Sequence, residues 1–336
     1  MKNLNKILAL TLVFIMVFSA CTNVNNQKDI NLETDKPKIA FIPQLIGIPY
    51  FTAMERGGNE AAEKFGAEFI YSGSVEVSAA EQVKIMDSLI RQGVDAISVS
   101  VLDSSSINPI IKKAKDDGIK VFTSDSDSPD SERDVYVAQA LDKDLGYTLI
   151  DRLAMQIGNK GKIGIVSGDP TATNLNAWVD YMKEKLEEDY PDIELVDVRY
   201  ASTSEESLKQ SQELITRYPD LKGLVAVASI NIPGVAQAVE QTNNIGKISV
   251  IGYGSPQTVK PYIESGAMEE SILWNAKDLG YLVVWAGLQL IEGNEFQETN
   301  NVDGLSDPVI YMEDEKILLL GPPLIINKDN VDTFDF

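Results

Sequence analysis

The residues best able to do chemistry stand in short clusters, each just after a β-branched run. Thr123-Ser124-Asp125-Ser126-Asp127 sets out two carboxylates, and Pro43-Gln44-Leu45-Ile46-Gly47-Ile48-Pro49-Tyr50-Phe51 offers a carboxamide and two aromatics. Asn174 with Trp178, Ser229 with Asn231, and Trp274 with Asn275 extend the pattern. An ionised Asp accepts two hydroxyl protons at once, and Asn or Gln both donates and accepts across one planar group. Bonds to a charged acceptor are the strong ones, and flat aromatic faces cover C–H surfaces. The set therefore suits a small polyhydroxylated ligand such as a sugar ring. Lys and Arg are missing from it. A phosphate or carboxylate ligand would call for cations or bare helix N-termini, and an amino acid would want both charge types.

Catalysis finds little support in the same residues. Asp125 and Asp127 superficially form the carboxylate pair of a glycoside hydrolase, but side chains on one tight segment rarely flank a scissile bond. The chain has no His and one Cys, so no His- or Cys-based nucleophile pairing is available. Val166-Ser167-Gly168-Asp169-Pro170 is neither a phosphate-binding loop nor a dinucleotide fingerprint. We expect no enzyme, no metal site and no cofactor. Each ligand candidate also has a plainer role open to it. Asp125 and Asp127 could start a turn or cap a helix, Phe51 and Trp178 could be core, and Asn174 is a good N-cap.

The elements that must position these residues alternate between β-branched runs and helical stretches. Strands are expected at Lys38–Ile42, Ala67–Tyr71, Ala96–Ser100 and Lys120–Ser124, with helices at Pro49–Phe65, Ser78–Gln92 and Ile107–Asp117. The alternation then restarts: helix Asp142–Ile157, strand Lys162–Ser167, helix Asn174–Asp189, strand Ile193–Tyr200, helix Ser204–Arg217, strand Gly223–Ala228, helix Ile232–Gln241 and strand Ser249–Tyr253. A last unit, Met268–Trp274 and Ala276–Ile291, precedes short extended pieces. Two successive sets of βα units predict an α/β protein of two doubly wound, parallel-sheet lobes. Such sheets bind ligands beyond the carboxyl ends of their strands, which is where the clusters fall.

The N-terminal residues point outside the cytoplasm. Lys2 and Lys6 precede an almost wholly apolar run from Ile7 to Ala20, which suits the core of a signal peptide better than a membrane span of about 20 residues. Phe18-Ser19-Ala20-Cys21 resembles the bacterial lipobox, which implies lipidation at Cys21 and attachment to the outer face of the membrane. Residues 22–36 are polar and read as a flexible tether. Lys and Arg total 29 against 51 Asp and Glu, a net charge of −22. That charge argues against a nucleic-acid partner and favours solubility beside a membrane.

Taken together, the chain resembles the type I periplasmic sugar-binding proteins of bacterial ABC transporters, in particular the group of rhamnose-binding proteins and autoinducer-2 receptors of the Lsr type. The likeness rests on the two clusters quoted above together with Gln92-Gly93-Val94-Asp95-Ala96-Ile97, Thr171-Ala172-Thr173-Asn174-Leu175-Asn176-Ala177-Trp178, Ile232-Pro233-Gly234-Val235-Ala236-Gln237-Ala238 and Leu273-Trp274-Asn275. It implies a monomeric binding protein with a three-segment hinge, closing on its ligand and serving an ABC permease. The crossings are expected near Asp127–Pro129, Trp274–Ala276 and Gly293–Phe296. They divide the chain into a signal peptide (1–20), a tether (21–36), one lobe (38–128 with 276–293) and a second (129–275 with 294–327). Receptors of the Lsr type usually carry Lys where this chain has Gln44, and Asp-Gln where it has Asn174-Leu175. They also carry a Pro and an Ala near Val227 and Ser229, while Asp125 is retained. The resemblance thus implies an aldose such as rhamnose, with autoinducer-2 as the alternative. A transcription regulator of the same lobe fold would need a DNA-binding helix pair before Lys38, where the signal peptide stands instead.

Overall fold

A computed structural model describes residues 36–336. The expected signal peptide, Cys21 and all of the tether but Lys36 lie outside the described residues. The chain runs β1 (Lys38–Ile42), α1 (Pro49–Phe65), β2 (Glu68–Tyr71), α2 (Ala79–Gln92), β3 (Ala96–Val99), α3 (Ser104–Asp116), β4 (Lys120–Ser124) and β5 (Tyr136–Ala138). It continues through α4 (Asp142–Ile157), β6 (Gly161–Ser167), α5 (Thr173–Asp189), β7 (Ile193–Tyr200), α6 (Ser204–Arg217), β8 (Leu221–Ala226), α7 (Ile232–Gln241) and β9 (Ser249–Gly252). Then come α8 (Pro256–Ser265), β10 (Glu270–Leu273), α9 (Ala276–Glu292), β11 (Thr299–Asn300), β12 (Val309–Met312), β13 (Ile317–Leu319) and β14 (Leu324–Asn327). Among the described residues no helix is long and apolar enough to cross a membrane.

Two sheets organise these elements. The larger has the order β11-β12-β13-β5-β4-β3-β1-β2, parallel from β13 to β2. The smaller, β7-β6-β8-β9, is parallel throughout. The antiparallel pair β10-β14 adjoins it through a bridge from Tyr253 to Ile272. In the large sheet β1 alternates its side chains between two cores. Ile39 and Phe41 pack with α1, whereas Ala40 and Ile42 join Met86 and Leu89 of α2 and Ile107 and Ile111 of α3. Burial on both faces is what a near-continuous apolar strand requires.

On the other face α1 and α9 pack with their backbones in contact. A Cβ at Gly57 would fall 1.8 Å from the Lys277 carbonyl oxygen, and one at Gly280 would fall 1.9 Å from that of Met54. Only a residue without a side chain fits at either point. The start of α9 is fixed as well: Asn275 caps it, accepting from the Asp278 amide at 3.2 Å and donating to its carboxylate at 2.6 Å.

The lobe boundaries differ from those expected. The chain passes between the sheets at Gln139–Leu141, Trp274–Asn275 and Leu320–Pro323, so only the middle crossing falls where the sequence placed it. The first comes late because β5, a strand of only three residues, inserts into the large sheet between β4 and β13. The third comes late because β11, β12 and β13 also pair in the large sheet, leaving β14 alone of residues 294–327 beside the small one. Helix α8 was not foreseen. Its Pro256 and Pro261 read as punctuation, yet Pro256 occupies the first turn, where a missing N–H costs nothing.

Candidate functional site

Both sheets aim the carboxyl ends of their strands at one cleft. The loop after β1 and the first turn of α1 bring Gln44, Tyr50 and Phe51 to it from the large-sheet lobe, and the loop after β4 brings Asp125. Asn174, Trp178, Ser229 and Tyr253 come from the other, and Leu273 and Trp274 lie at the middle crossing. Counted to its open mouth, the cleft encloses about 480 Å³ of space. It opens at the positions where strand order reverses, β1 beside β3 and β6 beside β8, as doubly wound sheets prescribe.

Asp125 is the organising residue of the first wall. Its backbone is left-handed, with φ of 66°, a conformation open to Asp at some cost. The carbonyl it turns inward accepts from Tyr136 Oη at 3.1 Å and from Gln139 Nε2 at 3.0 Å. Its carboxylate, 3% exposed, accepts from Tyr50 Oη at 2.6 Å and from Ser100 Oγ. Tyr50 in turn accepts from Trp274 Nε1 at 2.9 Å. Burial pushes the Asp125 carboxyl up to about 6 despite those two donors, with the Asp142 charge adding to the rise. Burial first, then the Asp125 charge, drives the Tyr50 hydroxyl well above its ordinary value.

Aromatic rings form the centre of the cleft. Trp274 stands 5.6 Å edge-on from Tyr50, 6.0 Å from Trp178 and 5.9 Å from Tyr253. Trp178 and Tyr253 meet at 4.8 Å. Trp178 is turned by its indole N–H, which donates at 2.7 Å to Asp142, a carboxyl that burial also pushes up to about 6. The walls meet directly where Gln44 Nε2 donates to Asn174 Oδ1 at 3.3 Å, besides donating to the Val101 carbonyl at 3.0 Å. Asn174 is not the helix cap that its position suggested. Ala172 stands at the N-cap of α5, which leaves the Asn174 carboxamide in the cleft.

Of the expected ligand-binding residues, the structure brings Gln44, Tyr50, Phe51, Asp125, Asn174, Trp178, Ser229 and Trp274 together and leaves out three. Asp127 is held in a two-pronged ion pair with Arg133, at 2.6 and 2.7 Å, and takes a further bond from Thr123. Asn231 is fully buried behind the wall, donating to the Ala201 carbonyl and Ser207 Oγ while accepting from the Ala228 amide. Asn275 is spent on capping α9. Sequence reasoning missed Tyr253, which directly follows β9 at the carboxyl edge of the small sheet. It also missed the aliphatic lining of Leu175, Val227, Ile230 and Leu273. No cluster of potential metal ligands occurs among the described residues.

Residues 39–295 match the periplasmic binding protein domain family. The chain belongs to that family. This periplasmic binding protein is 27% identical over 272 residues to the D-ribose/D-allose-binding protein of Pseudomonas aeruginosa, covering 76% of this chain and 82% of that one. Its fold is similar to an ABC transporter solute binding protein from Clostridium phytofermentas with bound L-rhamnose (25% identity, TM-score 0.83, covering 89% of this chain and 98% of that one). It is also similar in fold to LsrB from Clostridium saccharobutylicum in complex with AI-2 (24% identity, TM-score 0.82, covering 89% and 100%). The expected type I architecture of α/β lobes with parallel sheets is thereby shown, and the family is one of binding proteins rather than enzymes.

Proposed function

We propose that this periplasmic binding protein captures a monosaccharide between its lobes outside the cytoplasm and delivers it to an ABC permease, an aldose such as rhamnose being favoured. The observation that carries this reading is the composition of the cleft. A buried carboxylate and two carboxamides face a cluster of aromatic rings, and among the described residues no Lys or Arg lines the cavity. Hydroxyls that donate to Asp125 and C–H faces that lie on indole rings fit that combination, whereas an anion would meet a buried carboxylate and no cation. The relatives named for ribose and allose, and the rhamnose-bound neighbour, support a sugar. Isothermal calorimetry against pentoses, hexoses, deoxyhexoses and autoinducer-2 tests it, and an absence of heat with every one of them would defeat it.

Autoinducer-2 is the second reading, supported by the likeness in fold to the AI-2 complex. Gln44, where a cation is usual in the Lsr type, speaks for the aldose. The proposal includes a lipid anchor at Cys21 and a monomeric state. Labelling with radioactive palmitate in the native host should mark the protein, and Cys21→Ser should release it from the membrane fraction.

A further inference from the structure

We infer that the cleft selects a deoxygenated, uncharged sugar, one with an unsubstituted or methyl-bearing face, and that the Tyr253 hydroxyl makes a selecting bond to it. The inference rests on the sugar reading above and narrows it to a chemical class. It follows from matching the hydrogen-bonding groups still free in the cavity against what a sugar would need.

Much of the polar lining is already engaged. Both Nε2 protons of Gln44 are donated, to Val101 and to Asn174. The Tyr50 hydroxyl donates to Asp125 and accepts from Trp274. The indole N–H groups of Trp178 and Trp274 are committed to Asp142 and Tyr50. The side-chain donors that remain are Asn174 Nδ2 and the hydroxyls of Ser229 and Tyr253. The acceptors that remain are Gln44 Oε1, the second lone pair of Asn174 Oδ1, the spare lone pairs of Asp125 and the oxygens of those two hydroxyls. Against them stands an aliphatic surface made by Leu45, Ile48, Leu175, Val227, Ile230 and Leu273.

A fully hydroxylated hexose carries hydroxyls around its whole ring and on its exocyclic carbon, and each must exchange water for a partner. Buried beside that aliphatic surface, some would find none, and an unmade bond costs more than a made one returns. A deoxy sugar presents C–H there instead.

Tyr253 supplies the independent observation. It is 2% exposed and lines the cavity, yet its hydroxyl has no hydrogen-bond partner among the described residues. Buried phenols ordinarily find one. The ring is fixed between Trp178 and Trp274, so the hydroxyl is held in place for a group that the ligand brings.

The test is calorimetry of the full-length protein with sugar pairs that differ by one hydroxyl, L-rhamnose against L-mannose and L-fucose against L-galactose. In whichever pair binds, the deoxy member should bind about 10- to 100-fold tighter, the range by which an apolar pocket rejects an added hydroxyl. Tyr253→Phe should weaken that sugar about tenfold while its thermal melt in the absence of sugar stays near that of the wild type. A parent hexose binding as tightly as its deoxy partner overturns the inference and leaves the sugar reading standing. So does a Tyr253→Phe protein of unchanged affinity. Failure of all four sugars and of the wider panel removes the sugar reading itself. The matched-pair comparison needs no variant, so a Tyr253→Phe protein that failed to fold would not shelter the idea.

Discussion

The two walls of the cleft solve the same problem in different ways. The large-sheet wall is hydrogen-bonded in advance: Asp125 holds Tyr50 and Ser100, its carbonyl is fixed by Tyr136 and Gln139, and Tyr50 reaches Trp274. The small-sheet wall is mainly apolar, carried by Trp178, Leu175, Val227 and Ile230, and it leaves the Tyr253 hydroxyl unpartnered. Where a polar residue does support that wall, as Asn231 does, it works from behind. One wall thus presents a preorganised acceptor, and the other a fitted surface with few polar groups to spare. Orientation should come from the first and discrimination from the second.

The largest expected effect breaks the ion pair of Asp127, a residue the sequence placed in the site, with Arg133. Asp127→Ala strands the buried Arg133 guanidinium and should lower stability by about 3–5 kcal/mol in denaturant melts. Sugar affinity at a temperature where the variant is folded should stay within a few-fold. A selective loss of binding with normal stability would return Asp127 to the site.

Asp125→Ala comes next. Removing a charged partner in a closed cleft should cost about 2–5 kcal/mol of binding, read by calorimetry. Affinity preserved within a few-fold would show that Asp125 only holds Tyr50. Asn231→Ala, on the other wall, should reduce stability by about 1–3 kcal/mol and change affinity only through that loss.

The smallest effect is a pH dependence. The folded-state values of Asp125 and Asp142 are both raised to about 6, above the unfolded value of about 4. Between those limits the folded protein takes up protons more readily than the unfolded chain. The burial cost is therefore full above pH 6 and is relieved as pH falls toward 4. Asp125→Asn should gain stability relative to the wild type from pH 4 to pH 7, the difference in midpoint growing with pH. A flat difference would show that the carboxylate carries no net burial cost.

What the sequence revealed follows from how local the signals were. Parallel strands such as β1 and β3 announce themselves by nearly continuous apolar runs, and the rule that ligands sit at strand ends led to Gln44, Asp125 and Ser229, which line the cleft. It failed where a strand-end residue turns away from the cleft. Asp127 meets an arginine six positions on, Asn231 points back toward α6, and Asn275 is consumed by its own helix. Tyr253 follows a strand as the others do, but Gly252-Tyr253-Gly254 carries no local signal that tells a cleft aromatic from a core one. The lobe boundaries were misjudged for a different reason. A three-residue strand such as β5 has too few side chains to show a period, and its place is set by partners far along the chain.

The backbone contact between α1 and α9 has an optical consequence. Because Gly57 and Gly280 admit no slack, the start of α9, and with it Trp274 one residue before the cap, is carried by the large-sheet lobe. If the lobes part about the three crossings, the pairing of Trp274 with Tyr50 travels intact, while its contacts with Trp178 and Tyr253 open to water. Two of the three tryptophans in the chain stand at that seam. The protein therefore carries its own emission reporter: closure on a ligand should shift tryptophan fluorescence to the blue, without any added label.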